Sequence, residues 1–400
     1  MMESIRELFK IGVGPSSSHT MGPQRICKIF MNDLKNVSSY EVTLYGSLAL
    51  TGKGHLTDYI IEKTLAPLPV TFHWQMNGLP FHPNAMMIVA FDTNGHEIKR
   101  ATAYSVGGGS VVFENEAALA PKKIYQHHTF TEIANYIDDV NISLYEYILQ
   151  VEQEGFEGYL DEIIQTMINS VERGIQTQGI IPGKLKLSRA AHDLYEGAKK
   201  QNNNRLLLTS FAYAVSEGNA SGEEIVTAPT CGASGIIPAM VYYCLNVEKY
   251  PYEKVREGLA IAGLIGNLIK KNATISGAEG GCQAEVGSAI SMAAAMYASL
   301  LGCDVGQIEY AAEMGLEHQL GLTCDPVGGY VQIPCIERNG FGVLRAMDAG
   351  LYAKELGKLR PNRVSFDSVV RVMKKTGHDL KEAYRETSLG GLASEFKFDE

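Results

Sequence analysis

Three cysteines carry the first chemical signal in this 400-residue chain. Cys282 follows Gly280-Gly281, Cys324 precedes Asp325-Pro326, and Cys335 follows Pro334. Glycine and proline at those places predict turns, where thiolates from separated parts of the chain can converge without interrupting a helix. The thiolate is the metal-binding form of cysteine, and three of them suit an iron–sulfur cluster or a zinc ion. Their spacing matches neither the C-x-x-C of a zinc ribbon nor a bacterial ferredoxin run, so it does not choose between cluster, zinc and a purely structural role. Cys282 is expected at a helix start, whose positive end favours the thiolate. A four-iron cluster on three thiolates leaves one iron able to act as a Lewis acid on a hydroxyl; a fully ligated cluster suits electron transfer.

A second set of candidates lies far upstream. Residues 12–23 read GVGPSSSHTMGP, placing Ser16, Ser17, Ser18 and His19 where a helix should begin. Hydroxyls and free N–H groups at a helix entrance suit a carboxylate or phosphate, although the same serines suit an ordinary N-cap. His19 among them adds a group able to move protons. Residues 46–55, GSLALTGKGH, read as a glycine-rich loop carrying Lys53 and His55, either near a ligand or as a plain turn. The order of a phosphate-binding P-loop is absent. A third loop, TAPTCGASG over 227–235, brings Thr230, Gly232 and Ser234 to the start of an apolar run and can offer N–H donors to an anion.

These loops need a scaffold, and composition says which kinds are available. Apolar residues make up 45% and charged residues 20%, as in ordinary globular proteins. A net charge of −10 argues against a nucleic-acid partner or an anionic membrane surface. The weakly polar run over 286–302 is rich in Ala, Ser, Gly and Met, which suits close helix packing in a core better than a membrane span. Seven cysteines with no export signal do not form a disulfide framework; Cys27, Cys244 and Cys303 are expected in the core, and the protein is expected in the cytoplasm.

Along the chain, strands are predicted over 41–45 and 70–74, and a hairpin over 86–105 turns at Thr93-Asn94-Gly95. After a linker near 120–130, which contains His127-His128, the apolar spacing turns helical; Leu160, Ile163, Ile164, Met167, Ile168, Val171 and Ile175 form one stripe. The expected architecture is multi-domain, an α+β domain over 1–130 followed by an all-α domain over 131–400.

Several long motifs occur in one order: GPSSSHTMGP at 14–23, GSLALTGKGH at 46–55, FHPNAM at 81–86, YSVGGG at 104–109, TAPTCGASGIIPA at 227–239, GCQAEVGSA at 281–289 and EHQLGLTCDPVGGYVQIPCIERN at 317–339. In these the chain resembles the iron–sulfur-dependent bacterial L-serine dehydratases over nearly its full length. The resemblance implies a domain similar to the allosteric substrate-binding domain of some phosphoglycerate dehydrogenases, fused to a helical domain with a 4Fe-4S cluster. It implies Cys282, Cys324 and Cys335 as cluster ligands, His19 and His55 as acid–base groups, Ser16, Ser17 and Ser18 near the substrate, and a homodimer. The implied reaction converts L-serine to pyruvate and ammonia. The loops bearing Thr230, Gly232 and Ser234, and also Lys53, are then candidates to hold the substrate carboxylate. Some family members end in a cysteine that reaches the cluster; this chain ends Lys397-Phe398-Asp399-Glu400, which leaves that position to water, another side chain or the terminal carboxylates. Two other readings compete: a pyridoxal phosphate enzyme, for which no Ser-x-Lys beside a phosphate cup is found, and a non-enzymatic iron–sulfur or zinc regulator, which has no use for a base.

Overall fold

Ser39–Gly46 and Asn84–Phe91, buried at most positions, and Glu97–Ser105, buried at its far end, build the centre of a five-stranded mixed sheet, while the edge strand Val70–Gln75 alternates half-buried and exposed. The computed structural model describes residues 1–114 and 123–398. The sheet runs in the order Val70–Gln75, Ser39–Gly46, Asn84–Phe91, Glu97–Ser105, Val111–Phe113, and only its first pair is parallel. The predicted hairpin forms with Gly95 at positive φ in its turn. One face is covered by the helices Gly22–Met31 and Thr57–Leu65, whose Ile26, Phe30, Ile60 and Ile61 pack on Val42, Leu44, Met86 and Ile88. Cys27 lies in this core.

From Phe130 onward the chain is mostly helical. Ser288–Leu300 lies at the centre and is buried on nearly every side, packed by Tyr252–Asn272, Val305–Glu317 and Cys335–Leu356. Its alanines and serines let those neighbours approach closely, which accounts for the small-residue run. Among the described residues no helix is long and apolar enough to cross a membrane. The long stripe becomes the helix Phe156–Gln176, and Cys244 is buried while Cys303 is half-buried.

The expected linker falls partly on 115–122, outside the described residues. Beyond it, Lys123–Tyr125 is a strand paired with Met2–Glu3. His127 and His128 do not face a common point: His127 Nδ1 lies 3.0 Å from the Tyr147 hydroxyl, and His128 Nε2 lies 2.7 Å from the amino group of Met1. The chain's first residues sit with the helices. Met2, Ile5, Leu8 and Phe9 are part of the helical core, and Ile11–Val13 pairs with Glu224–Val226.

The two parts of the chain meet through glycine. Gly107, Gly108 and Gly109 all have positive φ, and any side chain there meets Ser276, Ile275 or Met21. Three successive left-handed residues let the sheet's loop lie flat against the 275–278 turn, which no other residue type does without strain.

Candidate active site

His19 sits in a widened π-type turn, Ser17–Met21. Ser16 caps that turn by accepting the His19 N–H at 3.1 Å, and the Thr20 hydroxyl donates back to the Ser16 carbonyl. Asn219, from the helical part, donates to the Pro15 carbonyl at 2.9 Å and fixes the turn's entrance. The stretch expected to be a glycine-rich loop contains a short helix, Ser47–Thr51, and His55 follows one turn later with its N–H donating to the Thr51 carbonyl at 3.0 Å. The two imidazoles stack with ring centres 4.4 Å apart.

Their hydrogen bonds fix which nitrogen carries the proton. Thr51 Oγ1 donates to the Ser47 carbonyl at 3.0 Å, and Ser47 Oγ donates to the Glu386 carbonyl at 2.9 Å. Both hydroxyls have thus placed their hydrogens and can only accept from His19 Nε2, at 2.9 and 3.2 Å. His19 Nδ1 is the bare nitrogen, 2.8 Å from the Ser18 hydroxyl. His55 Nδ1 faces the Thr51 carbonyl at 3.0 Å and must donate to it, which leaves His55 Nε2 bare. The two bare nitrogens point at one atom: Glu386 Oε1 is 3.6 Å from His19 Nδ1 and 3.9 Å from His55 Nε2. Burial, helped by the neighbouring His55, holds His19 well below the usual imidazole range. Burial holds His55 down to about 4. Burial and then the nearby Glu285 carboxylate push Glu386 well above the usual carboxylate range.

The three cysteines converge beside this group. Cys282 and Cys324 are buried and Cys335 is half-buried, and Cys324 lies within electrostatic reach of Cys282, Cys335, Glu285 and Glu386. The expectation that a helix end would favour the Cys282 thiolate is corrected here. Burial outweighs that effect and raises Cys282, although Arg338 opposes it. Arg338 acts on all three thiols and holds its own place through the Thr323 carbonyl at 2.6 Å. Three thiols and the half-buried Glu285 share the Arg338 guanidinium, which also lies 3.7 Å from Asp325, and burial disfavours the ionised form of each thiol.

The same donor set tests which metal fits. A single zinc, with Zn–S near ~2.3 Å, draws its sulfurs to within about 4 Å of one another. Among the described residues the only trio of ligand atoms within 4.8 Å is His19, His55 and Glu386. The three sulfurs are not gathered within that distance, which does not suit one tetrahedral ion, yet Cys324 is within electrostatic reach of both other thiols, which is compatible with a larger group shared among them. Gly277 is part of that fit, because a Cβ there would lie 2.7 Å from Glu285 Oε2 and 3.4 Å from Cys324 Sγ.

Among the other candidates, Thr230 and Ser234 are buried in a loop that Asn339 ties down, accepting from the Gly235 N–H at 2.9 Å and donating to the Gly232 and Cys335 carbonyls at 2.8 Å. The Thr230 hydroxyl lies beside Glu285. Lys53 is not gathered with them: it is exposed and stands over the Trp74 ring at 5.4 Å. Asp399 and Glu400 lie outside the described residues. Sequence reasoning missed Ser47, Thr51, Glu285 and Arg338, all inside motifs already singled out. It also missed Glu386, which arrives from a returning C-terminal segment: the Cys324 N–H donates to the Tyr384 carbonyl at 2.8 Å and the Glu386 N–H to the Cys324 carbonyl at 2.7 Å.

Residues 85–393 match the family model of the serine dehydratase alpha chain, and residues 4–70 that of the serine dehydratase beta chain. The chain is 40% identical to an L-serine dehydratase of Haemophilus influenzae over 451 aligned residues, covering 98% of this chain and 99% of that protein. It is likewise 40% identical to an L-serine dehydratase of Streptomyces coelicolor, with 98% and 99% covered. Against L-serine dehydratase 1 of Escherichia coli the identity is 39%, with both chains covered completely.

Proposed function

We propose, from the premise that this chain belongs to the serine dehydratase family, that it is an L-serine ammonia-lyase converting L-serine to pyruvate and ammonia. The observation that carries the residue assignment is the bare Nε2 of His55, buried, held in one tautomer and 3.9 Å from Glu386, which is itself within electrostatic reach of Cys324 and Cys335.

Cys282, Cys324 and Cys335 are the residues to hold a 4Fe-4S cluster, and Arg338 stays as their counter-charge. Bound there, the cluster supplies Lewis acidity that eases departure of the substrate's 3-hydroxyl. His55 Nε2 takes the α-proton; the C–H electron pair becomes the Cα–Cβ double bond, and hydroxide leaves with its own pair. The resulting 2-aminoacrylate tautomerises to the imine, which water hydrolyses to pyruvate and ammonia. His19, with both nitrogens engaged, stacks against His55 and keeps its ring in place. Thr230 and Ser234, with the N–H groups of their loop, are suited to the substrate carboxylate.

Anaerobic reconstitution with iron and sulfide, followed by metal analysis and pyruvate assays on L-serine, L-threonine and D-serine, tests this reading. Brown protein with iron and sulfide in equal amounts and pyruvate formed from L-serine is the expected result. The trio His19, His55 and Glu386 favours one alternative, a single divalent ion; colourless, zinc-loaded protein active on serine would decide for it.

The histidines also set a pH dependence of stability. His55 titrates near 4 when folded, against 6.5 for a free imidazole. Between those values the unfolded chain takes up a proton that the folded one refuses, so stability is full above pH 6.5 and falls as pH drops toward 4, by at most about 3 kcal/mol from this group. Urea midpoints at pH 7 and pH 5 should differ more in the wild type than in His55→Asn; equal differences would remove His55 as the cause.

A further inference from the structure

Glu386 is 4% exposed, and its Oε2 has no hydrogen-bond partner among the described residues. No described lysine or arginine forms an ion pair with it; the basic groups that reach it are His19 and His55. The His19 lone pair is already taken by the Ser18 hydroxyl at 2.8 Å, and Ser18 and the Ala278 N–H also act on the Glu386 carboxyl. His55 Nε2 and Glu386 Oε2 are left as buried acceptors with no described donor, and such an arrangement is costly unless something brings protons or positive charge.

A metal ion or an ammonium group answers that demand, and the substrate class chooses between them. Every α-amino acid carries an ammonium with three N–H donors, and a convergent set of acceptors is its complement. The position is also right for the reaction. The α-carbon is one bond from the ammonium nitrogen, so an ammonium on Glu386 brings the α-hydrogen to the bare nitrogen of His55.

We infer that Glu386 is the seat of the substrate's α-ammonium, and that it thereby positions the α-hydrogen at His55. This rests on the amino-acid lyase reading and names a binding group that reading leaves open. It also says why an amino acid is chosen over the corresponding hydroxy acid: without the ammonium, Glu386 Oε2 stays buried with no partner.

The test compares two probes on the reconstituted holoprotein. L-Alanine keeps the ammonium and carboxylate but has no leaving group, and 3-hydroxypropionate keeps the hydroxyl and carboxylate but has no ammonium. Binding of each is measured by calorimetry on wild type, Glu386→Gln and Glu386→Asp, alongside KM for L-serine. The glutamine variant is expected to lose about 10- to 100-fold in L-alanine affinity and to raise the serine KM in parallel. Its affinity for 3-hydroxypropionate should stay within about threefold, which also shows that the site is folded. Glu386→Asp should recover part of the loss, and carries the test if the glutamine variant does not fold. Equal loss for both probes, unchanged L-alanine binding, or no L-alanine binding by the wild type would overturn the inference. So would a second, stoichiometric metal that disappears in Glu386→Gln. L-Alanine binding that depends on Glu386, in a protein that forms no pyruvate from serine, would instead refute the deaminase reading and leave this one standing.

Discussion

Cys324→Ala is expected to yield a folded protein that has lost its iron, its sulfide and its serine deaminase activity together. Cys324 is the most informative of the three, because it is within electrostatic reach of both other thiols and both carboxyls. Its fold-holding contacts are main-chain ones, the N–H to Tyr384 and the carbonyl from Glu386, and an alanine keeps both. The side chain's remaining described partner is Glu285 Oε2 at 3.9 Å, a weak contact for a thiol. Stability should therefore fall by no more than about 1–2 kcal/mol, the cost of a small cavity. Loss of a Lewis acid worth several kcal/mol should lower kcat by ~10³-fold or more. Iron and sulfide determination, thermal unfolding and a pyruvate assay on one preparation separate these effects. Full iron content with undiminished turnover would remove Cys324 from the ligand set.

His55→Asn should leave the iron content intact and cut kcat by about 10²- to 10⁴-fold, the range typical of a removed general base. Asparagine is chosen because its amide can still donate to the Thr51 carbonyl, as His55 Nδ1 does at 3.0 Å. What disappears is the bare nitrogen. KM for L-serine should change by no more than a few-fold, since His55 acts on the α-hydrogen as the transition state forms. Exchange of the substrate α-hydrogen with deuterated solvent should slow in step with kcat. His19→Asn is the comparison: both its nitrogens are hydrogen-bonded, so its loss should be smaller and accompanied by disorder in the 47–55 segment. If instead His19→Asn is the more damaging and His55→Asn keeps kcat within tenfold, the base is His19.

Local physics made some of this legible in the sequence. The hairpin announced itself through Thr93-Asn94-Gly95, and the helix Phe156–Gln176 through a stripe of apolar residues at one period. Both signals are carried by neighbours in the chain. The segment holding His55 was harder, because its glycines masked a one-turn helix, Ser47–Thr51, whose hydroxyls turn out to orient His19. The thiol chemistry of Cys282 was misjudged for a related reason: a helix end is visible in sequence, whereas complete burial among other acidic groups is not. Glu386 had no local signal. It is one acidic residue among many, and it reaches the histidines through tertiary contacts, its backbone pairing with Cys324 and the Ser47 hydroxyl on its carbonyl.

That pairing has a consequence for how the protein comes into being. His19 and His55 emerge from the ribosome early and the cysteines much later. The segment that stitches Glu386 across Cys324 is made only after all seven cysteines. The group of His19, His55 and Glu386 therefore closes late in synthesis, once residues 384–386 can pair with Cys324. A truncated product ending between Asn339 and Tyr384 carries every cysteine and both histidines, yet lacks the strand of chain that covers Cys324.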